Sequence, residues 1–257
     1  ASACVEVVSD DVCALMPSFD GQSLVGSGVA SSCSAVLGWA AAAAHLDGRL
    51  DMGAGNDQHR AGISGPAGLQ SVQSLHRGHI QLLGLDDAEI VLACAEAAAG
   101  DVVSAVNFNA PGQVVIAGSK AAVDRAIAAC KARGAKRAMP LPVSVPSHCA
   151  LMRPAADKLA EALVGISVNV PLVPVIHNAD VASYTDPAAI RDALVRQLYS
   201  PVRWTETIRL LAAQGVLHQA ECGPGKVLAG LNKRIEASVV SFALTNDAAL
   251  ETTLDTL

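Results

Sequence analysis

Charged and aromatic side chains are scarce in this chain of 257 residues: 16% are charged and 3% are aromatic. The net charge is -6, and no basic cluster with interleaved aromatic residues occurs. Nucleic-acid binding requires a basic surface, so these absences argue against a nucleic-acid partner. No apolar run approaches the roughly 20 residues that span a bilayer, so no membrane segment is predicted.

Paired cysteines are also lacking, because the seven cysteines are scattered and form no C-x-x-C motif. An odd number at such spacings argues against a disulfide framework and against a zinc site. We therefore expect free thiols, a reducing cytoplasmic location and no bound metal. The chain begins Ala-Ser-Ala, and no signal peptide is legible there.

What the chain does contain is a hydrophobic fraction of 51%, enough for one large domain or for one domain that carries a smaller insertion. Residues 1–79 fit neither a sustained helix nor a series of strands, and glycines are frequent in 52–74. From about Ile80 onward the apolar spacing becomes regular. The chain therefore divides near residue 80.

The segment 80–141 predicts elements in the order β-α-β-β-α-β, the order of a ferredoxin-like unit. The predicted strands are 82–85, 102–109, 113–117 and 138–141, and the predicted helices are 88–98 and 120–132. Asp86 or Asp87 is expected to cap the first helix, and Gly134 to end the second.

The remainder alternates between helices and strands, which indicates a largely parallel sheet with helices on both faces. We predict helices at 147–164, 187–198, 204–214 and 227–235, and strands at 172–177, 216–221 and 239–243. The predicted organisation is a core made of 1–79 and 142–257, into which the unit 80–141 is inserted.

His148 is the first candidate functional residue, because it lies where a short strand, 143–145, gives way to the helix predicted from Ser147. The partial positive charge of a helix N-terminus disfavours the imidazolium and keeps the ring available as a base. The alternative is a structural histidine that helps Ser147 to cap the helix.

Four segments, in this order, resemble the bacterial malonyl-CoA:acyl carrier protein transacylases. They are VNFNAPGQVVIAG (106–118), PVSVPSHCALM (142–152), VRQLYSPVRW (195–204) and ECGPGKVL (221–228). The resemblance runs from about residue 82 to the C-terminus. It implies an α/β fold with an α/β-hydrolase-like parallel sheet core and an inserted ferredoxin-like subdomain.

The resemblance also implies a ping-pong acyl transfer in cytoplasmic fatty-acid synthesis. A serine takes malonyl from coenzyme A and passes it to the phosphopantetheine thiol of acyl carrier protein, with malonyl-CoA as substrate and no metal or redox cofactor. The resemblance implies that His148 is the base and that the backbone carbonyl of Gln197 orients its ring. Without the resemblance, Gln197 would be interpreted as a solvent-facing helix residue.

Asn107 and Asn109 alternate with apolar neighbours on a predicted strand, so both are expected on one side of it. The resemblance implies that this side borders the cleft for the acyl group and pantetheine. Alternatively, the two amides bond to their own backbone beside a turn.

The family's Gly-His-Ser-Leu-Gly elbow is absent, and the nearest match is 21–26, which makes Ser23 a provisional nucleophile. Ser23 is otherwise a loop serine, or 17–23 is a remnant of the oxyanion-hole loop. Arg77, in Leu-His-Arg-Gly, resembles the family's arginine for the malonyl carboxylate, which a guanidinium binds bidentately. A solvated surface arginine is the alternative.

The unusual first third leaves further alternatives open. Either this stretch is out of frame with the rest, or the protein has diverged and lost its nucleophile, which would leave an inactive module that binds carrier protein or coenzyme A. A thioesterase would use the same histidine with water as acceptor. A modest basic stretch consists of Lys131, Arg133, Lys136 and Arg137. It could bind an acidic carrier protein, or it could be a solvated helix end.

Overall fold

The computed structural model describes residues 76–141, 143, 145–222 and 225–256, with side chains from residue 79 onward. The described strands are β1 (His76–Leu83), β2 (Val103–Ala110), β3 (Gln113–Ser119), β4 (Arg137–Pro140), β5 (His218–Cys222) and β6 (Val240–Leu244). The described helices are α1 (Asp87–Ala98), α2 (Lys120–Ala132), α3 (Arg153–Val164), α4 (Pro187–Arg196), α5 (Trp204–Ala213), α6 (Val227–Ile235) and α7 (Asp247–Thr256), with a 3₁₀ turn at Ala150–Met152. The fold is mixed α/β.

The first six elements follow the predicted order β-α-β-β-α-β. Their strands form an antiparallel sheet in the order β2-β3-β1-β4. Helices α1 and α2 pack on one face of this sheet, where Leu82, Ile90 and Ile116 are fully buried. The hydrophobic effect of these side chains holds the layer together.

The caps of these helices are those that the sequence predicts. The Asp86 side chain accepts the Ala88 amide at 2.9 Å at the start of α1. At the end of α2, Gly134 has a φ of 99°, and its amide donates to the Lys131 carbonyl at 3.0 Å. The amide of Ala135 reaches the Cys130 carbonyl, which completes a Schellman motif.

Strand β2 contains two register shifts, one between Ala105 and Asn107 and one between Phe108 and Ala110. Each shift adds one residue to β2 relative to β3, as in a β-bulge. Val202 bridges the first bulge: its amide donates to the Val106 carbonyl at 2.8 Å, and its carbonyl accepts the Phe108 amide at 2.9 Å. The antiparallel sheet is thereby bonded to the C-terminal half of the chain.

The C-terminal half departs from the prediction. Within the described residues, the parallel pairing consists of β5 with β6, and the strand predicted at 172–177 is wrong, since that segment holds one isolated bridge, from His177 to Ala182. Pro171 and Pro174 lack an amide proton to donate to a ladder, and Leu172 is 86% exposed.

The helix predicted from Ser147 begins later, because Ser147 to Cys149 form a turn and α3 starts at Arg153, with Pro154 in its first turn. Proline is tolerated in the first turn but not in a helix interior, which accounts for the later start. The described residues 143 and 145 do not lie in a strand. No helix in the described part of the chain is long and apolar enough to cross a membrane.

Candidate active site

His148 lies in a tight turn between β4 and the 3₁₀ turn, and its φ of 63° is in the left-handed region. The Ser147 amide donates to the Val145 carbonyl at 2.8 Å, and the Cys149 thiol donates to the Pro146 carbonyl at 3.2 Å. The prediction that His148 sits at a helix N-terminus is therefore wrong. Its electrostatic environment has another source.

That environment is the end of helix α4. Nδ1 of His148 lies 2.8 Å from the backbone carbonyl oxygen of Gln197, and the His148 amide donates to the Leu198 carbonyl at 2.9 Å. Gln197 is the C-cap of α4, where the last carbonyls have no partner within the helix. A helix C-terminus also carries partial negative charge, which favours a positive ring.

His148 is 6% exposed, and burial lowers the pKa of its ring below the ordinary histidine value. The hydrogen bond between Nδ1 and the Gln197 carbonyl acts in the opposite direction, because it favours the imidazolium. When Nδ1–H donates to Gln197, the neutral ring has its lone pair on Nε2. The arrangement suits a general base that is neutral at rest and is stabilised when it takes a proton.

Gln197 is 5% exposed, so the alternative of a solvent-facing residue is wrong. Its Nε2 has no hydrogen-bond partner in the part of the chain that the structure describes. The contact with His148 is made by the main chain of Gln197, not by this amide.

A second buried histidine, His79 on β1, lies beside the His148 turn and was not singled out from the sequence. It is 5% exposed, and burial, together with the charge of His148, lowers its pKa to about 4, against a hydrogen bond with the Ser147 backbone that raises it. No motif signals this residue. Its closeness to His148 depends on the path of β1 beside β4.

Asn107 pairs with Val115, and Val115 packs in one cluster with Cys149, next to His148. Directly paired residues share a sheet face, so Asn107 lies on the His148 side of β2. Asn109 falls in the second bulge, which interrupts the alternation on which its predicted side depends. Their contact with substrate stays a prediction.

The remaining predicted site residues are not brought together by the described structure. Ser23 lies outside the described residues. Arg77 lies in β1, where its backbone is opposite Gly118 of β3, and its side chain is not among those described. Among the described residues, no group of three or more His, Cys, Asp or Glu side chains could hold a metal ion.

The model of the acyl transferase domain family matches residues 71–241, so the chain belongs to that family.

Within this family, the chain is 64% identical over 177 residues to the malonyl CoA-acyl carrier protein transacylase of Salmonella typhimurium, a match that covers 69% of this chain and 57% of the relative. The corresponding protein of Escherichia coli K12 is 63% identical over 174 residues, which cover 68% of this chain and 56% of the relative. The chain thus spans little more than half the length of these relatives.

Two solved structures are similar. One is a malonyl-transacylase in complex with its type II PKS acyl-carrier protein, with a TM-score of 0.70 and 52% identity over 73% of this chain and 62% of that chain. The other is an acyl carrier protein S-malonyltransferase from Vibrio cholerae, with a TM-score of 0.67 and 59% identity over 68% of this chain and 57% of that chain.

Proposed function

We propose that this chain transfers malonyl from malonyl-CoA to the phosphopantetheine thiol of acyl carrier protein. The observation that carries the proposal is the 2.8 Å contact between His148 Nδ1 and the Gln197 carbonyl. It supplies a buried, oriented imidazole in a chain whose relatives bear the names of malonyl transacylases. In this assignment His148 is the base, and the Gln197 carbonyl orients its ring.

The reaction consists of two half-reactions through one serine ester. In the first, a serine Oγ attacks the thioester carbonyl while its proton passes to Nε2 of His148, the C–S bond breaks, and coenzyme A leaves as a thiol with that proton. In the second, His148 takes the proton of the phosphopantetheine thiol, sulfur attacks the ester, and the proton returns to the serine. Ser23 is the provisional nucleophile.

Substrate contacts are assigned by the same proposal. Arg77 would pair with the malonyl carboxylate and so select a diacid over acetyl. Asn107 and Asn109 would border the acyl and pantetheine cleft, and the face of β2 that carries Asn107 supports this for the first of them. No metal or redox cofactor is required for these steps.

The finer architecture is also proposed. Residues 1–79 and 142–257 would form an α/β-hydrolase-like core, and 80–141 a ferredoxin-like subdomain inserted into it. The β-α-β-β-α-β order and the antiparallel strand order β2-β3-β1-β4 support the second assignment. The parallel pair β5–β6 supports the first.

The proposed partner is an acyl carrier protein of the cytoplasm, supported by the similar transacylase that was solved with its carrier protein. In the basic stretch, Arg133 already pairs with Glu96 at 2.5 Å and with Glu89 at 3.4 Å, so part of its charge is neutralised. Lys131 and Arg137 are exposed there and would meet an acidic carrier.

The test is intact-protein mass spectrometry before and after incubation with malonyl-CoA, followed by peptide mapping. The expected result is one malonyl ester on Ser23, which disappears when holo acyl carrier protein is added and reappears on the carrier. An ester on a peptide that this sequence does not contain would show that the first third is out of frame. The same incubation with acetyl-CoA is the control for selectivity.

Two results would overturn the proposal. No adduct, together with measurable binding of carrier protein, would leave an inactive binding module. Release of free malonate at the same rate with and without carrier protein would identify a thioesterase instead. Acetyl transfer as fast as malonyl transfer would remove the role assigned to Arg77.

A further inference from the structure

The ring of His148 is oriented by the segment 197–203, which connects α4 to α5. Two backbone carbonyls of this segment bond to His148: that of Gln197 to Nδ1 at 2.8 Å, and that of Leu198 to the amide at 2.9 Å. The Gln197 amide still donates to the Ala193 carbonyl at 3.0 Å, so Gln197 moves with the last turn of α4. Helix ends fray unless they are held, so the contacts of this last turn determine how firmly the ring is oriented.

One turn, residues 177–182, is bonded to both ends of this segment. Immediately before the segment, Nη2 of Arg196, the last residue of α4, donates to Oδ2 of Asp180 at 2.6 Å. At the end of the segment, the Arg203 amide donates to the Asn178 carbonyl at 2.9 Å. The turn therefore bridges the two ends of the connection that carries the orienting carbonyls.

The turn 177–182 has a defined backbone shape. The Val181 amide donates to the His177 carbonyl at 2.8 Å, and the His177 amide donates to the Ala182 carbonyl at 2.9 Å. Val181 has a φ of 54°, in the left-handed region that a β-branched residue rarely adopts. Such a conformation persists only where surrounding contacts fix it, so Asp180 is attached to a backbone that is itself held.

Asp180 and Asp192 both pair with the Arg196 guanidinium, but in different surroundings. The Asp180 side chain is 20% exposed, and its Oδ2 also accepts the Tyr184 hydroxyl at 3.2 Å. Asp192 lies one turn earlier in α4, and its side chain is 63% exposed. A less exposed ion pair is less screened by water, so the pair with Asp180 is the stronger of the two. It also connects two parts of the chain, whereas the pair with Asp192 lies within one helix.

We propose that Asp180 is a positioning residue, which holds the last turn of α4 through Arg196. The Gln197 carbonyl at that turn is thereby fixed in the position that orients the His148 ring. The proposal rests on the proposed function in that His148 is the base. An orienting acceptor sets the tautomer of the ring and the direction of its reactive nitrogen. A loosened helix end therefore reduces the fraction of protein that is aligned for proton transfer, which lowers kcat without weakening the binding of malonyl-CoA.

The test compares Asp180→Ala with Asp192→Ala in the full chain. Each substitution removes one carboxylate from Arg196 and changes the net charge equally, but the first breaks the bond between the turn and α4, whereas the second leaves it. We expect kcat for malonyl transfer to carrier protein to fall about tenfold in Asp180→Ala, with KM for malonyl-CoA within about twofold of the parent. In Asp192→Ala, kcat should stay within about twofold of the parent.

A double-mutant cycle tests whether Asp180 acts through Arg196. Arg196→Ala should lower kcat about as much as Asp180→Ala does. When Asp180→Ala is added to Arg196→Ala, kcat should change by less than about twofold, because the bond is already absent. Two losses that multiply in the double variant would contradict the proposal.

A second readout does not need turnover. In protein labelled with ¹⁵N-histidine, the Nδ1–H of His148 that is bonded to Gln197 gives a downfield proton signal, identified by its absence in His148→Asn. We expect this signal at its parent position in Asp192→Ala, and its shift or loss in Asp180→Ala.

Near-UV circular dichroism checks that each variant is folded. If Asp180→Ala is not, Asp180→Asn takes its place, since it keeps the volume of the side chain and loses the charge. A neutral hydrogen bond is weaker than a charge-assisted one, so we expect kcat to fall at least about threefold in this variant, again with a shifted His148 signal.

An unchanged kcat or an unchanged His148 signal in Asp180→Ala would overturn the proposal. An equal loss in Asp180→Ala and Asp192→Ala would overturn it as well, because it would indicate an effect of net charge. Failure of the proposed function is distinguishable: the parent would then transfer no malonyl, while the His148 signal would still report whether Asp180 holds the helix end.

Discussion

The carbonyl oxygen of Gln197 lies 2.8 Å from Nδ1 of His148, and this contact joins a helix end to a turn 49 residues earlier in the chain. The acceptor belongs to the main chain, so no substitution at position 197 removes its oxygen. A carboxylate in this role would carry a full charge that would need its own partners when buried. The partial charge of a helix end gives the ring its orientation without that cost.

Replacement of His148 by asparagine should abolish transfer while the fold is kept. Asparagine tolerates a positive φ better than most residues, but its amide cannot act as a base. We expect a loss of about 10²- to 10⁴-fold in the rate of malonyl transfer to carrier protein. His218→Asn is the matched control, since that histidine is exposed on β5. A transfer rate within tenfold of the parent would remove His148 from the role of base.

Gln197→Met should reduce transfer far less than His148→Asn, because the orienting oxygen stays in place. The substitution also removes a buried Nε2 that lacks a partner in the described structure, so the free energy of unfolding should be unchanged or higher. Steady-state rates and urea denaturation measure the two effects. If the Met variant lost as much activity as His148→Asn, the side-chain amide would have to take part directly.

Acid should destabilise the protein through His79 between about pH 6.5 and pH 4. The pKa of this ring is lowered from 6.5 to about 4, so within that window the unfolded chain binds more protons than the folded one, and stability falls as the pH falls. The shift corresponds to about 3 kcal/mol.

His79→Met should flatten this part of the stability curve, measured by urea denaturation at a series of pH values. His148 and His177, whose pKa values burial also lowers, remain in the variant and should still produce a smaller decline. The depressed pKa of the Glu206 carboxyl adds a loss of stability at more acid pH in both proteins. If the free energy of unfolding had the same slope in parent and variant between pH 6.5 and 4, the lowered pKa of His79 would be contradicted.

Two glycines should respond in opposite directions to alanine. A Cβ on Gly118 would lie 2.1 Å from the Val102 carbonyl oxygen and 2.6 Å from Cα of Val103, both backbone atoms, so we expect a loss of about 3 kcal/mol or more. A Cβ on Gly230, in helix α6, would meet no atom of the described residues within 4 Å, and alanine there should add about 0.5–1 kcal/mol. Urea denaturation of both variants provides the comparison, and a neutral Gly118→Ala would contradict the close packing of β3 on β2.

The sequence predicted those elements whose signals are local. Helices 120–132 and 227–235 have the predicted bounds, because their apolar periodicity is contained in the segment itself. For the first helix, the glycine that follows its last turn is a further local signal. Helix α7 was missed, although Asn246 accepts the Ala249 amide as a capping residue would, so a local signal was present.

The rest depends on contacts between distant parts of the chain. A short apolar run such as 172–177 becomes a strand only if a neighbouring backbone pairs with it, and Pro174 within the run and Pro171 before it lack the amide proton that such pairing uses. The turn at His148 is held by the Gln197 and Leu198 carbonyls at the end of α4, a contact that local spacing cannot reveal. Only the family resemblance indicates Gln197, because any residue at that position has a backbone carbonyl and the side-chain pattern therefore does not signal it.

The two hydrogen bonds between Val202 and strand β2 bear on how the protein opens. The Thr205 hydroxyl adds a third link, to the Phe108 carbonyl at 3.0 Å. The antiparallel sheet therefore cannot separate from the C-terminal half without breaking hydrogen bonds to its edge strand, β2. In native-state hydrogen exchange, the amides of Phe108 and Val202 should share one opening free energy, and the two halves should unfold as a single cooperative unit.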